Sequence, residues 1–306
     1  MCHAAGEPSR RAKKGNGMKT QTFGIEVEMN HITRAKAAQV IAAHFGTSVD
    51  YRPGRPYDLR RIPDGTGRYW KVVSDSSIWG PDAEKTEVVS PVCRWEDIET
   101  VQALVRKLEA AGARAHTSCG IHIHIGADKH TAKTLRNLVN TVNAKEDLLQ
   151  QALQIDENRR WRYCAEVDQD FLRKLNTRRP KTLEVFAQLW YGDLNWRSHA
   201  ACHYDDSRYH LLNLHSVFQK GTVEFRAFNS TLDPDEVKAY IQLCMAINHA
   251  ALTATSASPT RPVTDNPKYT FRCWLLRLGF IGDEYKTARE HLIKHLPGNA
   301  AWRQAS

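Results

Sequence analysis

The chain has 306 residues, 42% hydrophobic and 25% charged, enough apolar material for a buried core and too little bias for wholesale disorder. Its net charge is +9, and much of it is local, because Arg10, Arg11, Lys13, Lys14 and Lys19 face only Glu7 near the start. The seven cysteines are scattered without a Cys-x-x-Cys pair, and no apolar run approaches the ~20 residues of a membrane span, which argues against a zinc knuckle, a secreted disulfide scaffold and a membrane partner.

The expected setting is therefore the reducing cytoplasm. Residues 1–17 read as a disordered basic leader, with Met18 an alternative start. A strand is predicted over Thr22–Asn30, followed by a helix over 34–45 capped by Thr33 and stopped by Gly46. Polar residues 52–68 read as an irregular loop, and two strands follow at Tyr69–Ser74 and Thr86–Val89. Apolar residues at three- and four-residue steps predict a helix from Trp95 to about Ala111. After a strand over Cys119–Gly126, Thr131 caps a long predicted helix reaching Ile155, and Pro180 opens another through Leu189. The polar stretch 192–208 reads as a second loop, and both stretches read equally as a lid or substrate loop and as solvated insertions. Strands are predicted at Leu211–Val217 and Thr222–Ser230, then a helix from Pro234 to about Thr253. Two shorter helices parted by Gly279 to Gly282 complete the chain over about 265–296. Interleaved strands and helices make the class mixed α and β, and the expected fold class is α+β.

Three strands carry chemistry on one face. Successive side chains of a strand point to opposite sides. In Phe23-Gly24-Ile25-Glu26-Val27-Glu28-Met29, Glu26 and Glu28 oppose Ile25, Val27 and Met29. In Cys119-Gly120-Ile121-His122-Ile123-His124-Ile125, the two histidines oppose three isoleucines, while in Thr222-Val223-Glu224-Phe225-Arg226, Glu224 and Arg226 oppose Val223 and Phe225. Any one such pair is commonly a wetted sheet face or a structural ion pair. Together, carboxylates and imidazoles without thiolates suit Mg²⁺ or Mn²⁺. Asp75 and Glu87 add carboxylates near strand ends; Asp75 alone reads as a turn former, and Cys119 as a packed core residue.

With these stretches in view, the chain resembles the amidoligase enzymes of the glutamine synthetase and glutamate–cysteine ligase superfamily. The resemblance rests on Phe-Gly-Ile-Glu-Val-Glu at 23–28, Glu-Val-Val-Ser-Pro at 87–91, Cys-Gly-Ile-His-Ile-His at 119–124 and Gly-Thr-Val-Glu-Phe-Arg at 221–226, with Arg208-Tyr209-His210-Leu211-Leu212-Asn213-Leu214 between the last two. It implies a glutamine synthetase-like curved antiparallel sheet, an open half-barrel with helices on its convex face. The implied catalytic domain is 18–258, with 259–306 a helical extension of it. The implied reaction joins a carboxylate substrate (an amino acid or peptide) to an amine through an acyl phosphate, using ATP. By the resemblance, Glu28 and Glu87 serve one metal, Glu26, His122 and Glu224 a second, Arg226 contacts phosphate, and His124 and Arg208 lie beside nucleotide or acyl substrate. Asp75 is the least well matched carry-over. Two rival readings follow from the same residues. One is a guanidino-kinase-like phosphotransferase. The other is a basic nucleic-acid binder using Arg159-Arg160-Trp161-Arg162-Tyr163 and Trp190 to Arg197, although such clusters more often form a helix surface or a partner-facing patch. Oligomeric state stays open.

Overall fold

The structure, a computed structural model, describes residues 17–302. The predicted leader therefore lies outside the described residues, apart from Gly17. Eight strands form one sheet: β1 (Phe23–Met29), β2 (Asp50–Tyr51), β3 (Arg60–Pro63), β4 (Tyr69–Ser74), β5 (Thr86–Val89), β6 (Gly120–Gly126), β7 (Leu212–Asn213) and β8 (Thr222–Asn229). Their order is β2-β3-β4-β5-β1-β6-β8-β7, antiparallel throughout, and the sheet is open rather than closed into a barrel. This order is what makes a site: the three polar-faced strands β1, β6 and β8 are immediate neighbours, with β5 flanking β1.

Ile25, Val27, Met29, Ile121, Ile123, Ile125, Val223 and Phe225 are all buried on the other face. They join one continuous core with the helices Arg34–Phe45, Ile98–Ala110, Ala132–Asn143 and Pro234–Thr253. Local signals start these helices as the sequence predicts. Thr33 Oγ1 accepts the Lys36 amide at 3.2 Å, Gly46 stops the first helix at φ +66°, and Asp233 caps the helix whose first residue is Pro234.

One irregularity matters to the site. Ile121 pairs with Phe228 but Ile123 with Phe225, so Arg226 and Ala227 together oppose His122. This is a β-bulge, which bends the strand and takes residues out of the regular ladder.

Five local expectations are corrected. The stretch 52–68 is not one loop, because Arg60–Pro63 pairs with β4 and Tyr51 with Arg60. The long helix from Thr131 breaks at Ala144–Lys145 into Ala132–Asn143 and Glu146–Leu153. Near the break Asn140 and Asn143 donate to the carbonyls of Ala257 and Pro259, and buried Glu146 accepts the Val167 amide at 3.0 Å, so tertiary partners overrule the periodicity. The helix expected from Pro180 starts at Leu183, capped by Thr182. Of the strand expected over Leu211–Val217, only Leu212–Asn213 pairs, and His215–Gln219 is helical. Short helices also form at Glu157–Arg162, Gln169–Arg178 and Trp196–Ala201, the last inside a stretch read as loop. The terminal helices Pro267–Leu278 and Lys286–Ile293 are parted by Gly279 and Gly282, both at positive φ, and pack on Pro234–Thr253. Among the described residues, no helix is long and apolar enough to cross a membrane.

Candidate active site

The polar face of β1, β6 and β8 forms the floor of a cleft of about 590 Å³. Strand register sets its grid: Glu28 lies across from Glu87, Glu26 from His122, and His124 from Glu224. His122 stands between two carboxylates, with Nδ1 3.1 Å from Glu26 Oε2 and Nε2 3.8 Å from Glu28 Oε1. Ligand atoms of Glu26, His122 and Glu224 lie within 4.8 Å of one another, and so do those of Glu28, Glu87 and His122. The five carboxylate and imidazole residues singled out as metal ligands thus converge in two groups sharing one ring. A neutral imidazole has a single free lone pair, so His122 can ligate one cation and hydrogen-bond toward the other group.

Second contacts fix these side chains. Glu28 Oε2 accepts the Gly120 amide at 2.6 Å, and Glu224 accepts from Asn213 Nδ2 at 2.8 Å and from Arg226 Nη1. Lys220 Nζ is 3.8 Å from Glu26 Oε1. His124 lies deeper than the cleft surface: its Nδ1 meets Thr222 Oγ1 at 3.0 Å, and Thr222 meets Ser216 at 2.7 Å. Its Nε2 is 3.3 Å from Glu26 and 3.9 Å from Glu224, with an in-line hydrogen bond to neither. His124 therefore braces two acids from behind.

The electrostatics divide the acids. Burial works against charge on Glu26, but the charge of His124 and the His122 hydrogen bond outweigh it and hold Glu26 well below the usual carboxylate range. Glu224 is likewise opposed by burial yet brought down to about 2 by His124, Arg226 and His122. Glu28 goes the other way, raised to about 7 by burial and then by the negative charge of Asp75. Glu87 is raised well above its ordinary value by burial, Glu26, Glu28 and Asp75. His122 is pushed down to about 4 by burial and Arg226, so its ring is neutral and free to ligate. A site with too many acids for its protein cations is one that an added cation would relieve. The donor set contains oxygen and imidazole nitrogen alone, which fits hard or borderline divalent ions.

The walls come from the two stretches read as loops. Tyr57 and Tyr204 hydroxyls meet at 2.9 Å, linking them at the mouth of the cleft. Tyr57 and Asp58 both have positive φ, and Asp58 is held there by Arg34 at 2.7 Å and by Arg60. Arg208 lines the same wall, donates to the His203 carbonyl at 3.1 Å and lies over the rings of Tyr204 and Tyr209. Asp75 also lines the cleft, with one oxygen tied to the Ser77 amide at 2.7 Å in a turn. Cys119 is fully buried, its thiol pushed up to about 11 by burial and Glu28, so no nucleophile emerges there.

A family profile described as "Putative amidoligase enzyme" matches residues 19–248, most of the chain. The chain belongs to this amidoligase family. The match covers every residue of the cleft floor. No curated protein matches this amidoligase-family chain. Among solved structures, it is similar to a bifunctional glutathione synthetase from Pasteurella multocida, at 12% identity and a TM-score of 0.41, over 93% of this chain and 48% of that one. The chain thus spans about half the length of that protein.

Residues that sequence reasoning did not assign to the candidate site but that line the cleft include Arg159, Tyr163, His203 and Lys220. Arg159 and Tyr163 were placed in a nucleic-acid cluster, but the fold splits it. Arg159 is buried in the cleft, Arg160 approaches Glu166 at 3.5 Å, and Trp161 projects outward at 89% exposure. These groups present no common stacking face. The usable signal for Arg159 was the glycine at 120, directly before the large residues Ile121 to Ile125 of the strand, which marks a close approach.

Proposed function

We propose that the chain is an ATP-dependent carboxylate–amine ligase built on a glutamine synthetase-like sheet. The observation that carries this reading is the convergence of Glu26, Glu28, Glu87, Glu224 and His122 from four strands on one cleft floor. Glu28 and Glu87 would hold one divalent cation and Glu26 and Glu224 a second, with His122 between them. Two bound Mg²⁺ or Mn²⁺ ions would supply charge neutralisation for the transferring phosphoryl group. The residues do the rest. Arg226, fixed by Glu224, offers a guanidinium to phosphate oxygens, and Arg208 a second cation at the wall. A substrate carboxylate oxygen attacks the γ-phosphorus, ADP leaves, and an acyl phosphate forms. The amine nitrogen then attacks the acyl carbon, phosphate leaves, and the nitrogen gives up a proton. The acyl phosphate must be kept from water meanwhile, and the Tyr57–Tyr204 bridge over the cleft mouth suits that task.

Free phosphate is expected to accumulate only when ATP, Mg²⁺ or Mn²⁺, an acid and an amine are all present. Screening acids and amines by phosphate release checks this. A phosphorylated product without free phosphate would instead reveal a phosphotransferase. Failure of every combination to consume ATP would sink both.

Cation binding should also depend on pH with a definite sign. Ligating carboxylates must shed their protons, and Glu28 is raised to about 7 by burial and Asp75, with Glu87 raised as well. Mn²⁺ affinity is therefore expected to strengthen several-fold from about pH 6 to about pH 8 and to release protons on binding. Titration calorimetry in two buffers of different protonation enthalpy measures both. An affinity that ignores pH would remove Glu28 and Glu87 from the ligand set.

A further inference from the structure

Arg159 is an anomaly among the charged groups of the cleft. It is 3% exposed, yet among the described residues no carboxylate comes within ion-pair distance of it. Its hydrogen bonds run from Nη2 to the Arg226 carbonyl at 3.2 Å and to Cys164 Sγ at 4.0 Å, and its buried Nε has no partner at all. A buried guanidinium without an anion is expensive to keep. By contrast, the neighbouring Arg226 is committed to Glu224.

The chain makes room for this cation. A Cβ on Gly120 would lie 2.2 Å from Arg159 Nη2 and 2.3 Å from Nη1, so the guanidinium occupies the space where a side chain at 120 would project. Along β6 the polar floor thus reads guanidinium, His122, His124. The guanidinium lies at the end where Glu28 accepts the Gly120 amide.

We infer that Arg159 is the anion seat of the cleft, receiving a phosphoryl or carboxylate oxygen of the ligand beside Glu28. The inference rests on the ligase reading for the identity of that anion but not for its charge. Guanidinium suits planar two-oxygen recognition of either group. Arg159 is the buried cation of the cleft that bonds no acid directly, although its charge reaches Glu28, so its guanidinium edge is the group left for a ligand oxyanion.

The test is calorimetric titration of the full chain with inorganic phosphate and, separately, with acetate, each with and without Mn²⁺. Arg159→Met is expected to weaken binding of the preferred anion by about tenfold or more, in both metal conditions. Mn²⁺ binding alone, followed by electron paramagnetic resonance, should stay within about twofold of wild type. Arg159→Lys keeps a cation but not the fork and should weaken binding by a smaller factor; it decides the matter if Arg159→Met fails to fold. Gly120→Ala should also weaken binding, by pushing the guanidinium from its place. Loss for phosphate alone marks a phosphoryl subsite, and loss for acetate alone a carboxylate one. Variants that bind both anions like wild type, or a wild type that binds neither, overturn the inference. Absence of Mn²⁺ binding by wild type would instead defeat the metal assignment, leaving the metal-free titration to judge Arg159.

Discussion

Glu28→Gln is expected to lower ligation by roughly 100- to 1,000-fold, a loss of several kcal/mol in transition-state stabilisation, without destabilising the fold. The two halves of this expectation come from one geometry. Glu28 lies in the group with Glu87 and His122, and glutamine cannot supply the negative charge that a cation there requires. Yet the folded protein resists that charge, since burial and Asp75 raise the Glu28 carboxyl to about 7. A raised carboxyl pKa makes the fold more stable when the group is protonated. That advantage is complete below the unfolded-state value and disappears as pH climbs through about 7. Glutamine imitates the protonated form and its carbonyl can still accept the Gly120 amide. Thermal melts without metal should therefore show the variant equal to wild type near pH 5 and more stable near pH 8. Added Mn²⁺ should raise the wild-type melting temperature more than the variant's. Wild-type turnover in the variant would remove Glu28 from the chemistry.

Arg226→Met is expected to fail differently, by losing stability and activity together. Arg226 is 5% exposed and bonds Glu224, which burial opposes but His124, Arg226 and His122 hold charged at about 2. Removing the arginine strands a buried carboxylate, which costs about 3–5 kcal/mol. For a chain of this size the melting temperature should fall by about 5–8 °C. The double change Glu224→Gln with Arg226→Met removes the stranded charge and should recover much of that loss without restoring activity. Differential scanning calorimetry on the single and double variants measures this. A single variant melting with wild type would show that the ion pair does not hold the floor together.

How much of this was legible beforehand depends on which interactions dominate locally. Strands β1, β6 and β8 were readable because isoleucine, valine and phenylalanine alternate with ionisable residues, and burial on one face fixes that phase. Their adjacency was not readable, since it depends on β6 and β8 returning from distant parts of the chain. Edge strand β2 and its neighbour β3 escaped because Arg60-Arg61-Ile62-Pro63 contains a single large apolar residue, and the pairing of β3 is supplied by β2 and β4. The break at Ala144–Lys145 carries no glycine or proline, and is stabilised by side chains contacting residues more than a hundred positions away. Helix Gln169–Arg178 did carry a signal in Asp168, whose carboxylate caps Phe171, but its polar surface hid the periodicity. Among site residues, the acids and His122 announced themselves by pattern. Arg159 did not, because nothing in its own short helix distinguishes it from Arg160 and Arg162; only the fold buries it.

The bulge in β8 separates two duties that a regular strand would merge. Counting back from Phe225 opposite Ile123, a strand one residue shorter would still set Phe228 against Ile121, so hydrophobic phase alone does not ask for Ala227. What the extra residue changes is the backbone: the Arg226 carbonyl lies outside the ladder, where it accepts from Arg159 and from the Cys164 thiol at 3.0 Å. A small alanine in an otherwise ordinary run thus governs the posture of a cation on a neighbouring helix. Excising it would keep Phe228 opposite Ile121 yet remove the bulge that presents the Arg226 carbonyl to Arg159, a lesion invisible to any inventory of polar residues.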